Sequence, residues 1–346
     1  METVTLDELD RALLHALQVD GRAPFRRIAE VLGVSDQTVA RRYQRLRAAG
    51  VVRVIGRTSA RLLGEVDWMT RIRCVPDAAS AIAEALARRP DTSWVSLLSG
   101  GEIVCNTRSK ARPDREELLL GKLPRTPRVL SVGAHYLLRT FVGGTVAWSG
   151  RTSALDADQV ARLRGGAAGR ADAGGGGAAG TPESAGVRAA AVRAAAGPVV
   201  PDGLDRALLA ELAVDGRVPL AELAARTGAP EATVRRRLAA LTGSGLLFFD
   251  VDVETRLLGF GIEAFCWLTV APGKLAAVGR AMAEHPEAGF VAATTGPTNL
   301  VAGLVCRDVE AFYAYLTDRL GALEGVGALE TAPVIRSVKR AGMIIR

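Results

Sequence analysis

Between Ala40 and Arg57 the chain carries six arginines, at positions 41, 42, 45, 47, 53 and 57, and no aspartate or glutamate. Guanidinium groups at that density can neutralise a phosphate backbone and release its counterions. Just upstream, Gln37 and Thr38 add side chains that can reach base edges. Glutamine pairs bidentately with adenine and arginine with guanine. Further along, Thr233, Arg235, Arg236 and Arg237 form a smaller basic cluster, followed by Asp250, Asp252 and Glu254. The predicted chemistry is contact with double-stranded DNA through Ser35, Gln37, Thr38, Arg41, Arg42, Arg45, Arg53, Thr233, Arg235, Arg236 and Arg237.

Covalent chemistry is poorly served. The three histidines are His15 on a first helix, His135 beside Tyr136 in a strand, and His285 before Pro286 at a helix end. No nucleophile–base pair, paired carboxylate site or phosphate loop stands out. Cys74, Cys105, Cys266 and Cys306 show neither a CxxC nor a metal-ligand spacing, and read as small buried hydrophobes in a reducing compartment. No catalytic residue, metal or cofactor is expected.

The basic face needs helices to present it. Leu6, Leu9, Leu13, Leu14 and Leu17 recur at helical steps, and Asp20-Gly21-Arg22 ends that helix with a glycine suited to a left-handed cap. Pro24 to Leu32 forms a second helix, and Gly33 turns into a third, capped by Ser35. Val39, Tyr43 and Leu46 face inward and leave Gln37, Thr38, Arg41, Arg42 and Arg45 outward. That is a helix-turn-helix.

The arrangement occurs twice. LDRALLHALQVDGRAP at 9–24 returns as LDRALLAELAVDGRVP at 204–219, with 12 of 16 positions identical at an offset of 195. Such identity marks a duplicated unit. The offset drifts to 196 by Gly100/Gly296. Each helix-turn-helix is followed by a βαββαβ pattern, giving a ferredoxin-like α+β fold. In the second copy the elements are 262–271, 272–285, 289–295, 300–306, 309–320 and 334–338, with Phe312, Tyr313, Leu316 and Leu320 spaced for burial. In the first they are 67–76, 78–89, 93–99, 102–108, 114–121 and 129–141. Residues 165–180, GGAAGRADAGGGGAAG, read as a flexible tether. The expected domains are a helix-turn-helix at 1–56, a ferredoxin-like sensor at 57–150, a linker at 151–201, a second helix-turn-helix at 202–250 and a second sensor at 251–346.

Each copy resembles the leucine-responsive/asparagine-synthetase (Lrp/AsnC) regulator family. The resemblance rests on LDxxD at 6–10, DGR at 20–22 and 215–217, IAxxLGVS at 28–35, RR at 41–42 and 236–237, LxxxG at 46–50 and 241–245, and LG at 63–64 and 258–259. It implies that the third helix enters the major groove and that the sensors self-associate and bind an effector such as an amino acid. Gly100, Gly101, Gly296, Thr298 and Asn299 are the candidate effector contacts. The resemblance also implies a hairpin aspartate, which is replaced here at the positions matched by offset, Ile103 and Asn299. The tandem arrangement implies that one chain supplies what two normally do, as an intramolecular pseudo-dimer. Siroheme decarboxylases resemble the same family and supply the alternative, a tetrapyrrole enzyme.

A formal net charge of +7 suits a polyanionic partner. No apolar run reaches the roughly 18 residues of a membrane span, and the N-terminus lacks a signal-peptide layout, so a cytoplasmic location is expected. The copies are unequal. Arg45, Arg47, Arg53 and Arg57 correspond to Ala240, Thr242, Phe248 and Asp252, and capping Ser35 to Pro230. The first reader is expected to bind DNA more strongly.

Overall fold

The computed structural model describes residues 5–109, 125–143, 154–168 and 199–345. The first copy runs α1 (Glu8–Val19), α2 (Phe25–Leu32), α3 (Asp36–Ala48), β1 (Val52–Thr58), β2 (Val66–Cys74), α4 (Ala79–Ala87), β3 (Thr92–Leu98), β4 (Glu102–Ser109) and β5 (Val129–Val142). Helix α5 (Ala157–Ala168) follows. The second copy runs α6 (Gly203–Val214), α7 (Leu220–Thr227), α8 (Glu231–Gly243), β6 (Leu247–Val253), β7 (Ile262–Val270), α9 (Leu275–Ala283), β8 (Ala288–Thr294), β9 (Leu300–Cys306), α10 (Val309–Ala314), β10 (Val326–Arg340) and the short β11 (Met343–Ile344). The helix expected at 114–121 and most of the expected linker lie outside the described residues.

The chain divides into two compact units, and each takes half of both copies. One unit is Met1–Gly64 with Thr152–Glu254, and the other is Glu65–Arg151 with Thr255–Arg346. In the first of these units the two helix-turn-helix motifs are joined by an antiparallel ribbon of β1 and β6, with Ile55 opposite Asp250 at its centre. These strands cross the expected boundaries at 56 and 250, because the backbone that leaves each motif is still needed to pair with the other. The expected linker also starts too early. Leu155 and Leu163 are buried, and α5 packs on α1 and α2. The leucine spacing of this segment was masked by the glycines and alanines that follow it.

In the other unit β5 pairs with β2 through residues 129–136 and continues onto β8 of the second copy through 137–142. Strand β10 does the reverse, pairing with β7 and then with β3 of the first copy. The order β10-β3-β4-β2-β5-β8-β9-β7 therefore closes on itself through the β10–β7 pairing. Closure removes the exposed edges that an open sheet would present. Met69, Leu98, Val104, Trp267, Ala292, Val301 and Ala332, drawn from both copies, form one apolar cluster. Ile72, Ile82, Leu86 and Val95 form a second under α4, and Val278, Met282, Leu300 and Tyr315 belong to a third beside α9 and α10. The closing strand of the second copy is far longer than the expected 334–338, since its first half is mostly exposed and lacks an apolar run. Tyr313, expected inside, is exposed, and Tyr315 is buried instead. Tyr313 lies in the regular helix before the chain widens to a π-helical turn over Tyr315–Leu320.

Candidate nucleic-acid interface

Helix α3 begins as its sequence requires. Ser35 is extended, and its Oγ accepts from the Thr38 amide at 3.1 Å. Val39, Tyr43 and Leu46 are buried against the motif, which leaves Gln37, Arg41 and Gln44 exposed on the opposite face at helical steps. Among the described residues Arg41 makes no ion pair, as does Arg236, its counterpart on α8. Both stay available for phosphate or base contact.

The neighbouring arginines do other work. Arg42 donates from Nη1 to both Asp7 oxygens at 2.8 and 2.6 Å, and to Asp10 Oδ1 at 2.9 Å. Arg45 also bonds the buried Asp10 carboxylate. Asp7 is the N-cap of α1 in a capping box with Asp10, so Arg42 clamps the third helix to the start of the first. Burial pushes the Asp7 carboxyl up, but Arg42 and the Asp10 amide outweigh it and hold the group below its ordinary value. The second copy repeats the clamp with Arg237, 2.6 Å from Asp202 and 3.5 Å from Asp205. Asp7 and Asp10 of the LDxxD motif are thus the acceptors of this clamp, and the expectation of DNA contact for Arg42 and Arg237 is corrected to this extent: both are ion-paired within the fold, with side chains 23% and 39% exposed. Arg235 pairs along its own helix with Glu231 at 2.7 Å. Thr38 and Thr233 are half-buried in the first turns of their helices. Pro230 supplies no side-chain cap.

Arg53 is also corrected. It lies on β1, half-buried, 2.7 Å from Asp252 on β6, and Arg57 reaches Asp250 at 3.3 Å. Arg53 and Arg57, the last two arginines of the acid-free run, meet their acids in the other copy, 199 and 193 residues away, which spacing along the chain could not reveal.

The DGR motif does not cap a helix. Neither Gly21 nor Gly216 takes a positive φ. Arg22 donates to the carbonyls of Gly216 and Val218 at 2.8 and 3.0 Å, while Arg217 donates to those of Gly21 and Ala23 at 2.7 and 2.9 Å. Arg217 also stacks over Phe25 at 4.4 Å, and burial lowers its pKa. The glycines permit close approach: a Cβ on Gly216 would sit 2.9–3.0 Å from the Ile55 backbone. This reciprocal exchange was missed at the level of sequence, although its signal, one motif repeated with an arginine each time, was in view.

The sensor candidates are mostly structural. Asn299 accepts from the Val270 amide at 2.8 Å and donates to its carbonyl at 2.7 Å. The Thr298 carbonyl accepts from Thr294 Oγ1, and Gly296 (φ +112°) packs against the His135 ring. Gly100 and Gly101 take φ of +79° and +76° in a tight turn. Strand register also corrects the hairpin match. Arg71 opposes Val104 as Trp267 opposes Val301, so the counterpart of Asn299 is Glu102, not Ile103. A carboxylate is therefore present in the first copy, but Arg71 holds it at 2.8 and 3.0 Å. A cavity of about 270 Å³ lies beside this pair, lined by Arg71, Arg73, Glu102, Ser131, His135 and Glu330. Burial lowers the His135 pKa. His285, just past the end of α9, makes a hydrogen bond with the Tyr315 hydroxyl at 3.1 Å. The four cysteines are buried as free thiols.

The AsnC-type helix-turn-helix domain model matches residues 6–47 and 202–242, and the Lrp/AsnC ligand binding domain model matches residues 263–344. The HTH-type transcriptional regulator FL11 of Pyrococcus furiosus is 32% identical over 136 residues, which is 39% of this chain and 89% of that protein. The regulator LrpA of Pyrococcus horikoshii is 24% identical over 139 residues, 40% of this chain and 99% of that protein. Among solved structures, the siroheme decarboxylase NirDL aligns over 97% of this chain and 93% of its own with a TM-score of 0.58 at 15% identity. Its co-complex with an iron-uroporphyrin III analogue covers the same shares with a TM-score of 0.60 at 14% identity. At such identity the likeness is one of fold.

Proposed function

The chain belongs to the Lrp/AsnC family of transcriptional regulators, and on that premise we propose that it binds specific DNA sites as an intramolecular pseudo-dimer, reading them mainly with α3 of the first copy. The observation that carries the reading is the exposed face of α3, where Gln37 and Arg41 stand without ion partners among the described residues above a Ser35-capped first turn. The pairing of the readers through β1 and β6, and of the sensors through β5 and β10, supports one chain acting where two would otherwise meet. A small-molecule effector would occupy the cavity at Arg71, Arg73 and His135, where it would touch Glu330 of the second copy and so couple the two.

The test is titration of genomic duplex fragments at several salt concentrations. A specific fragment should stand out, with log K falling by about 0.9 per phosphate contact for each tenfold rise in salt. Equal, weak affinity for every fragment would refute sequence-specific binding. The tetrapyrrole alternative is favoured by the full-length likeness to NirDL. An absorption spectrum of purified protein with added iron-uroporphyrin separates the two, since a bound tetrapyrrole shifts its main band.

A further inference from the structure

The contacts that join the copies differ in what they permit. Arg47 of the first copy pairs with Asp215 of the second at 2.8 Å, and since both copies carry the DGR aspartate, two first copies could form that pair as well. The Arg22/Arg217 exchange is reciprocal, and both copies carry DGR, so it would form between any two readers. The charged contacts of the ribbon are one-sided. The first copy contributes Arg53 and Arg57, and the second Asp252 and Asp250. In the sheet unit Arg71 of the first copy bonds Glu330 of the second at 2.7 and 3.0 Å and lies 3.7 Å over the Trp267 ring. By register, the counterpart of Trp267 is Arg71 and that of Glu330 is Gly133.

Swapping copies in the observed register exposes the consequence. Val52 opposes Val253 and Thr58 opposes Leu247, so the ribbon has its pseudo-twofold at Ile55 and Asp250. Two first copies would place Arg53 opposite Arg57 twice, and would bring Arg71 to Arg71 with glycine where Glu330 stands. Two second copies would place Asp250 opposite Asp250 and leave Glu330 without a cation. Like charges directly opposite on paired strands are destabilising. Burial sharpens the effect, since Arg53 and Arg57 keep only 22% and 17% of their side-chain exposure.

We infer that the copies have diverged into charge-complementary halves, so that a first copy pairs with a second and rejects its own kind, with Arg53, Arg57, Arg71, Asp250, Asp252 and Glu330 as the specificity residues. This deepens the pseudo-dimer reading and rests on it. The partner that this surface fits is the other half of the same chain, or of a second identical chain.

The tether alone favours pairing within a chain, so the experiment removes its advantage. A protease site placed at 170–180 of the full chain is cut, and the nicked protein is unfolded in urea and refolded by dialysis, so that each fragment chooses its partner with every specificity residue kept. Native mass spectrometry then distinguishes the three possible dimers by mass. The refolded mixture should hold first–second heterodimers and neither homodimer. Homodimers at comparable yield would overturn the inference while leaving pairing intact. Separate fragments alone would overturn the pseudo-dimer reading with it. Charge is tested separately. Arg53→Asp/Arg57→Asp should lower the heterodimer yield, and adding Asp252→Arg should restore it in part. No loss, or loss without rescue, would remove the charge assignment. DNA affinity, measured on the uncut chain, reports on the regulator reading independently of these masses.

Discussion

Adjacent arginines of one sequence motif stand in different surroundings here. Arg41 projects from α3, while Arg42 turns back to the Asp7–Asp10 capping box and holds the helices together. The two substitutions should therefore separate binding from stability. Arg41→Ala should cost roughly 1–3 kcal/mol of DNA affinity if it meets a base, less for a phosphate, with the unfolding midpoint unchanged. Arg42→Ala should lower stability by about 1–3 kcal/mol, because it strips a charged hydrogen bond from the buried Asp10. Fluorescence anisotropy and urea unfolding measure the two. If Arg42→Ala unfolds like the parent, the clamp is not a strut.

Helix α5 braces the first reader through a pH-sensitive joint. The Leu155 amide donates to His15 Nδ1 at 3.0 Å, and Gln159 and Arg162 reach the Val31 carbonyl. Burial, and then the nearby Arg164, hold His15 below its ordinary 6.5. A lowered histidine means that the fold prefers the neutral ring, which is the form that can accept the amide. The stabilisation is complete above 6.5 and is lost as pH falls through the lower folded-state value. The protection of the Leu155 amide against exchange, measured relative to its intrinsic rate, should fall across that acidic range. The His15→Ala variant should lack the transition, and an identical pH profile in that variant would exclude the joint.

In the whole reader unit the two third helices are related by the pseudo-twofold of the ribbon but differ in chemistry. Ser35 caps one, whereas Pro230 leaves the other without a side-chain cap, a difference of about 1 kcal/mol in helix stability. Around Arg236 the residues matching Gln37 and Gln44 are Ala232 and Ala239. Operator symmetry follows protein symmetry, so the preferred site should have one strong half and one weak half. Arg41→Ala should cost more affinity on such a site than Arg236→Ala. Equal losses would make the readers equivalent.

The sequence by itself determined the duplication, the helix-turn-helix with its Ser35 cap and the alternation of strands and helices, because these follow from local periodicity and turn chemistry. It also marked the residues that matter, LDxxD, DGR and the arginine run, without revealing what each one meets. Only the tertiary structure decided that Arg42 faces Asp10, that Arg22 and Arg217 exchange across the pseudo-twofold, and that Arg53 belongs to Asp252. The strand exchange of β5 and β10 was equally out of reach, since a strand that changes sheets along its length keeps the same alternation throughout. Partners nearly 200 residues apart leave no trace in local spacing. Which arginines are tied into the fold is settled by the carboxylates that folding brings within about 3 Å of them.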